Sequence, residues 1–278
     1  MTTKNNLLSL ELFPPKTAEG VTKLAAAVEA FATLNPAFFS VTFGAGGSTQ
    51  DGTLATVKNI RAAGHQAAPH LSCIGSTTDS IRTILQQYRA AGITQIVALR
   101  GDLPSGIGQA GEFKHAADLV SFIRAEHGDH FYLEVAAYPE YHPQARNAQE
   151  DLKNFKRKID AGANSAITQY FYNPDAYFHF VDALGKMGVN VPIQPGIMPI
   201  ASFSNLVRFS DACGAEIPRW IRRKMEGFGD DTASIKAFGL DVVTDLCEKL
   251  LKGGAPGLHF YTMNQAGLTT AIWQRLSL

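Results

Sequence analysis

Gln95-Ile96-Val97-Ala98-Leu99-Arg100-Gly101-Asp102 sets an apolar run of strand length directly before a cation, a bare backbone and an anion. A buried strand that ends in such a triplet can hold a charged, planar ligand at its mouth. The arrangement recurs along the chain: short apolar runs end in polar residues, and each is followed by a segment of helix length. An α/β barrel places its chemistry in this way, at the carboxyl ends of its strands.

Working outward, the expected strands are Leu7 to Phe13, Phe38 to Phe43, Ala67 to Ile74, Gln95 to Leu99, Tyr132 to Ala137, Ser165 to Gln169, Val191 to Gly196 and Gly257 to Tyr261, each short, apolar and bounded by Gly, Pro or Asn. Between them, apolar residues recur at three and four in Thr17 to Leu34, Gln50 to Ala63, Ser76 to Ala91, Lys114 to His127, Asn147 to Ala161 and Pro174 to Met187. Phe203 to Cys213, Pro218 to Gly227 and Thr232 to Lys252 add helical material before the last strand. About eight alternations predict one α/β domain over residues 1–278, a (β/α)8 TIM-type barrel with extra helices before the last strand and no regulatory domain. An open doubly wound sheet alternates in the same way and stays open as a reading.

The 278 residues are 45% hydrophobic and 18% charged, ample for a large core. Twenty-five basic residues balance 25 acidic ones, so no bulk charge draws the chain to nucleic acid or to a membrane surface. Met1 to Asn6 lacks the apolar core of a signal peptide, and no run of about 18 apolar residues is present to span a bilayer, so a cytoplasmic protein is expected. Cys73, Cys213 and Cys247 form no Cys-x-x-Cys pair and read as buried free thiols.

Within the first strand, alternation puts Leu8, Leu10 and Leu12 on one face and Ser9, Glu11 and Phe13 on the other. Glu11 then points into the barrel, where a desolvated carboxyl suits general acid catalysis; the plainer reading is a buried Glu paired with Arg100 or a lysine. His70 reads as a ligand donor or a hydrogen-bonded core histidine. Gly106-Ile107-Gly108-Gln109-Ala110-Gly111 fits G-x-G-x-x-G, but Arg100 to Ser105 separate it from the strand that a dinucleotide fingerprint requires. After the fifth strand come Tyr138-Pro139-Glu140-Tyr141-His142-Pro143 and then a helix with Asp151, Asn154 and Lys158 along one face and Arg157 beside them. They suit a ligand with planar and phosphate parts, or form a solvated charged face. No strand end carries a Schiff-base lysine, and no Asp/Glu/His cluster has metal-ligand spacing.

Taken together, Leu10-Glu11-Leu12-Phe13-Pro14-Pro15-Lys16, Val41-Thr42-Phe43-Gly44-Ala45, Ala68-Pro69-His70-Leu71-Ser72-Cys73, Ala98-Leu99-Arg100-Gly101-Asp102-Leu103-Pro104, Ala137-Tyr138-Pro139-Glu140, Ala166-Ile167-Thr168-Gln169 and Pro195-Gly196-Ile197-Met198-Pro199 resemble the 5,10-methylenetetrahydrofolate reductases in their compact bacterial form. The resemblance runs in order from about residue 8 to the C-terminus. It implies an FAD-containing barrel that takes a hydride from NADH or NADPH and passes it to methylenetetrahydrofolate by a ping-pong mechanism, feeding methionine synthesis, and it implies a homo-oligomer.

By the same resemblance Glu11 is the general acid that promotes opening of the folate's five-membered ring, and Asp102 is the acidic residue beside flavin and pterin. Thr42, His70, Arg100, Gly101, Asp102, Ala116, Tyr138, His142, Ala145, Asp151, Asn154, Arg157 and Lys158 match the FAD-contacting set. Asp102, Gln169, Asn205, Phe209 and Gln265 match the substrate side. Three positions depart from the common pattern: Phe43 stands for a Tyr, Asn205 for a longer Gln, and Gln265 for an Arg near the folate's glutamate tail. Gln cannot make a charge-assisted fork with a carboxylate. The alternatives are another flavin barrel, such as a proline-dehydrogenase-like enzyme, and a non-catalytic folate- or flavin-binding barrel.

Overall fold

Alternation governs the first strand, β1 (Leu8–Leu12), as it does the rest of the sheet. Its three leucines are fully buried against the helices, while Ser9 and Glu11 face the other way. A computed structural model describes residues 8–43, 50–102 and 111–276. Met1 to Asn6 and residues 106–110 of the glycine-rich segment lie outside the described residues.

The chain then runs through α1 (Ala18–Ala32), β2 (Phe38–Val41), α2 (Gln50–Ala62), β3 (Ala67–Ser72), α3 (Thr78–Ala90), β4 (Gln95–Leu99), α4 (Ala116–His127), β5 (Tyr132–Ala137), α5 (Ala148–Asp160), β6 (Ser165–Thr168) and α6 (Pro174–Lys186). Small polar residues start these helices by accepting an orphan backbone N–H. Thr17 caps α1, Thr77 forms a capping box with Ser80 on α3, Asn147 caps α5, and Asn173 with Pro174 behind it opens α6. In α3 the buried stripe is Ile81, Ile84, Leu85 and Tyr88, each contributing about 2 kcal/mol by burial.

All strand pairs are parallel. Their order is β7-β6-β5-β4-β3-β2-β1-β9-β8, where β7 (Ile193–Gln194) and β8 (Gly196–Ile197) are separated by Pro195 alone and β9 is Leu258–Tyr261. Pro195 has no N–H to give a ladder, so the strand bends there and its halves serve different neighbours. Ile193 and Gln194 register with Ala166 and Ile167, while Gly196 and Ile197 register with His259 and Phe260. The Pro195 carbonyl itself accepts from the His259 N–H at 2.9 Å. The ring therefore closes, which excludes the open doubly wound sheet and establishes the TIM-type barrel.

Between β8 and β9 lie α7 (Phe203–Cys213), α8 (Arg219–Phe228) and α9 (Thr232–Lys252), the extra helical material expected from the sequence. One element was not expected. Helix α10 (Ala266–Arg275) follows β9, and its N-cap residue Gln265 makes no side-chain cap hydrogen bond. Without a Ser, Thr, Asp or Asn at its start, the helix carries no sequence signal of entry. Phe38, Ala68, Val97 and Ile167 form a small apolar plug separate from the main core, which lies between sheet and helices.

Candidate active site

Glu11, on the last turn of the pleat in β1, has a side chain only 12% exposed. Its Oε2 lies 3.5 Å from His70 Nε2 on β3 and 3.9 Å from His259 Nε2 on β9. The expected partners, Arg100 or a lysine, are replaced by two imidazoles, one from β9, which pairs directly with β1, and one from β3, which lies beyond β2 on the other side. Burial holds His70 below its ordinary value; the Glu11 charge opposes that shift and His259 adds to it. His259 is itself held from behind: Ser9 Oγ lies 2.7 Å from its Nδ1 and donates to Gln194 Oε1 at 3.0 Å.

The triplet after β4 is shaped by a backbone that only glycine tolerates. Gly101 has φ +83°, and a Cβ there would meet Ser72 Oγ. Ser72 Oγ donates to the Arg100 carbonyl at 2.9 Å, fixing the turn, and the Arg100 guanidinium donates to the Gly101 carbonyl and, at 2.7 Å, to Gln144 Oε1 beyond β5. Asp102 is exposed at the rim. Burial, with the Asp102 and Asp151 charges nearby, pushes the Tyr138 phenol up to about 12.

Tyr138 and His142 meet edge to face at 4.5 Å. The His142 N–H donates to Asp151 Oδ2 at 2.9 Å, and the Ala145 N–H donates to the His142 carbonyl. Burial, followed by the Arg100 charge, holds His142 below its ordinary value. On α5, Lys158 turns back to the barrel, where Nζ donates to the Ala136 carbonyl at 2.7 Å, and burial lowers its amine to about 8 against the pull of Asp151. Arg157 points outward instead, donating to Asn154 Oδ1 and lying 3.5 Å from Glu150. The structure thus brings Arg100, Tyr138, His142, Asp151 and Lys158 into one group, with Asn154 and Arg157 at its outer end. Thr42 stands just past β2, its N–H on the Leu12 carbonyl. Ala116 is buried in the first turn of α4.

Across from this group, Gln169 follows β6 and its Oε1 accepts from the Tyr170 N–H at 3.0 Å. Gln169 lines a crevice with Tyr138, Tyr170, Cys213 and Ala215. A second crevice of about 230 Å³ opens between α5 and α6, lined by Tyr138, Tyr141, Asp151, His179 and Phe180. On α7, Phe209 is half-buried beneath the Arg208 guanidinium, 5.0 Å from its ring, and Asn205 is exposed one turn earlier. Gln265 is exposed at the entry to α10, where it stands in place of the Arg of the family pattern.

Sequence reading missed Ser9, Gln194, His259 and Asn264. Asn264 clamps the end of β1 by accepting from the Phe13 N–H and donating to the Phe13 carbonyl. Period-two alternation in Leu258-His259-Phe260-Tyr261 carries the signal for His259, since Leu258 and Phe260 belong to the helix-facing core.

A profile of the family described as methylenetetrahydrofolate reductase matches residues 1–277. The chain belongs to the methylenetetrahydrofolate reductase family. It is 42% identical over 272 residues to the 5,10-methylenetetrahydrofolate reductase of Escherichia coli K12, covering 98% of this chain and 90% of the relative. The methylenetetrahydrofolate reductase (NADH) 1 of Arabidopsis thaliana is 37% identical over 97% of this chain, which spans 48% of that longer protein. Among solved structures, a Clostridium thermocellum protein that binds two copies of 5-methyl-5,6,7,8-tetrahydrofolic acid shares the fold, with TM-score 0.69, 17% identity and coverage of 98% and 93%. Membership in the methylenetetrahydrofolate reductases assigns reduction of 5,10-methylenetetrahydrofolate to this chain.

Proposed function

We propose that the chain is a single-domain, FAD-dependent reductase that takes hydride from NADH or NADPH and delivers it to 5,10-methylenetetrahydrofolate, the two substrates visiting one site in turn. The observation that carries this reading is the placement of Glu11, an enclosed carboxyl between two imidazoles, at the same end of the barrel as Arg100-Gly101-Asp102. NADH as donor is in line with the name of the Arabidopsis relative.

The residues present fit a flavin nucleotide. The Gly101 turn leaves bare backbone where a Cβ would meet Ser72, His70 Nε2 is a buried nitrogen without a hydrogen-bond partner, and Tyr138 with His142 offers aromatic faces. Thr42, His70, Arg100, Gly101, Asp102 and Ala116 would hold its ring end, and Tyr138, His142, Ala145, Asp151, Asn154, Arg157 and Lys158 its nucleotide end, with Arg100 and Lys158 supplying positive charge for phosphate. Bound there, FAD supplies the acceptance and donation of hydride.

Glu11 protonates the folate nitrogen whose bond opens. Asp102 at the rim orients the pterin by hydrogen bonding, Gln169 gives an amide able to serve folate and nicotinamide alike, and Phe209 stacks on the substrate from α7 beside Asn205. Gln265 meets the glutamate tail as a neutral amide.

Anaerobic stopped-flow absorbance tests the reading. NADH should bleach the FAD-loaded protein, and methylenetetrahydrofolate should restore the flavin band. In Glu11→Gln, bleaching should stay within about threefold of wild type while reoxidation by folate slows by about 10²-fold or more. Equal loss of both half-reactions removes Glu11 from the acid role, and bleaching of wild type without reoxidation removes the folate.

A further inference from the structure

Ser9 has a single hydroxyl proton, and Gln194 Oε1 takes it. Toward His259 Nδ1, 2.7 Å away, Ser9 Oγ is therefore the acceptor, and the ring proton of His259 sits on Nδ1. The neutral imidazole then presents a bare Nε2 to the barrel interior. That nitrogen is buried, has no hydrogen-bond partner, and lies 3.9 Å from Glu11 Oε2.

A lone pair turned on an ionised carboxylate repels it, whereas the same lone pair accepts from a protonated carboxyl. His70 Nε2, equally buried and unpartnered, approaches the same oxygen at 3.5 Å. An acceptor nitrogen facing that oxygen is the surrounding of a hydroxyl rather than of an oxyanion. Both contacts exceed hydrogen-bond length, as catalytic pairs commonly do until substrate tightens them.

From this geometry we infer that His259, locked by the Ser9–Gln194 pair, is a positioning residue that holds the acid proton on Glu11 Oε2 until a substrate nitrogen takes it. The inference rests on the reading of Glu11 as the general acid. No new transfer step is involved: the proton leaves Glu11 for the substrate, and His259 keeps its own proton on Nδ1 throughout. Ser9 and Glu11 come from β1, Phe38 from β2 with its ring 6.3 Å from that of His259, His70 from β3, Gln194 from β7, and Tyr261 from β9. Tyr261 donates its hydroxyl to the Thr168 carbonyl at 2.7 Å, so it competes for neither imidazole.

Two measurements on the FAD-loaded protein test the inference. Two-bond 1H–15N correlation spectra with 15N-histidine should show His259 as the Nδ1–H tautomer at neutral pH; an Nε2–H signal for this ring overturns the proposal. This readout needs no substrate, so it stands or falls apart from the reductase reading, which fails if wild type reduces no folate. In stopped-flow, His259→Leu should slow the folate half-reaction about 10- to 100-fold, shift its pH profile, and leave the NADH half-reaction within about twofold. His259→Gln, whose amide oxygen can replace the Nε2 acceptor, should recover most of the loss. Equal slowing of both half-reactions, or an unmoved pH profile, shows a merely structural ring and overturns the proposal; should the Leu variant not fold, the Gln variant and the wild-type spectra still decide it.

Discussion

Glu134 shows how strongly one residue can couple this barrel to pH. It lies on β5 with its carboxyl buried, and Gln95 Nε2 donates to Oε1 at 3.2 Å. Burial raises its carboxyl from 4.5 to about 7, with Ser165 and Gln95 opposing in part. Because the folded form binds this proton more tightly than the unfolded chain, the stabilisation is fully present below pH 4.5 and is lost as pH rises through about 7. A shift of that size corresponds to about 3–4 kcal/mol. Urea unfolding at pH 4.5 and pH 8 should show wild type losing about that much relative to Glu134→Gln between the two. An equal gap at both values would mean that Glu134 does not carry its proton in the fold.

Among the elements, the bent strand at Pro195 is the least forgiving. A Cβ on Gly196 would collide with the Thr168 carbonyl and lie 2.7 Å from the Tyr261 ring, and β8 and β9 are held together at this point. Gly196→Ala should therefore cost about 2–3 kcal/mol in urea unfolding; a cost under about 0.5 kcal/mol would show that the seam adjusts freely. Period-two alternation made Glu11 legible from sequence, as did the strand mouths that hold Arg100 and Gln169. Helix bounds such as Phe203–Cys213 and Thr232–Lys252 followed from apolar stripes. Pro195 also stood in plain view, but that its two flanks pair with different strands depends on long-range register, which no local pattern encodes. His259 was hidden for a related reason. Its value lies in Ser9, 250 residues away in sequence, and in the tautomer that this contact imposes.

At the scale of the molecule, the two ends of the described chain hold each other. β1 registers with β9 from Leu8 against Leu258 to Glu11 against Tyr261, Asn264 clamps Phe13, and α10 covers the junction by packing on α1 and α9 with Ile272 and Leu276 buried. Truncation after Gln265 should lower the thermal midpoint by about 10 °C or more, since losing two buried aliphatic residues and their helix removes about 4–6 kcal/mol. A midpoint within about 3 °C of wild type would show that α10 is dispensable for closure. The same junction sets an order of events on the ribosome. The strand that bears Glu11 is made early, yet the strand that completes its surroundings emerges roughly 250 residues later, on the order of tens of seconds at ordinary elongation rates. Throughout that interval the edge of β1 that β9 covers stays unpaired, and the acid has His70 but not His259 beside it, so the catalytic end can assemble only after β9 has emerged.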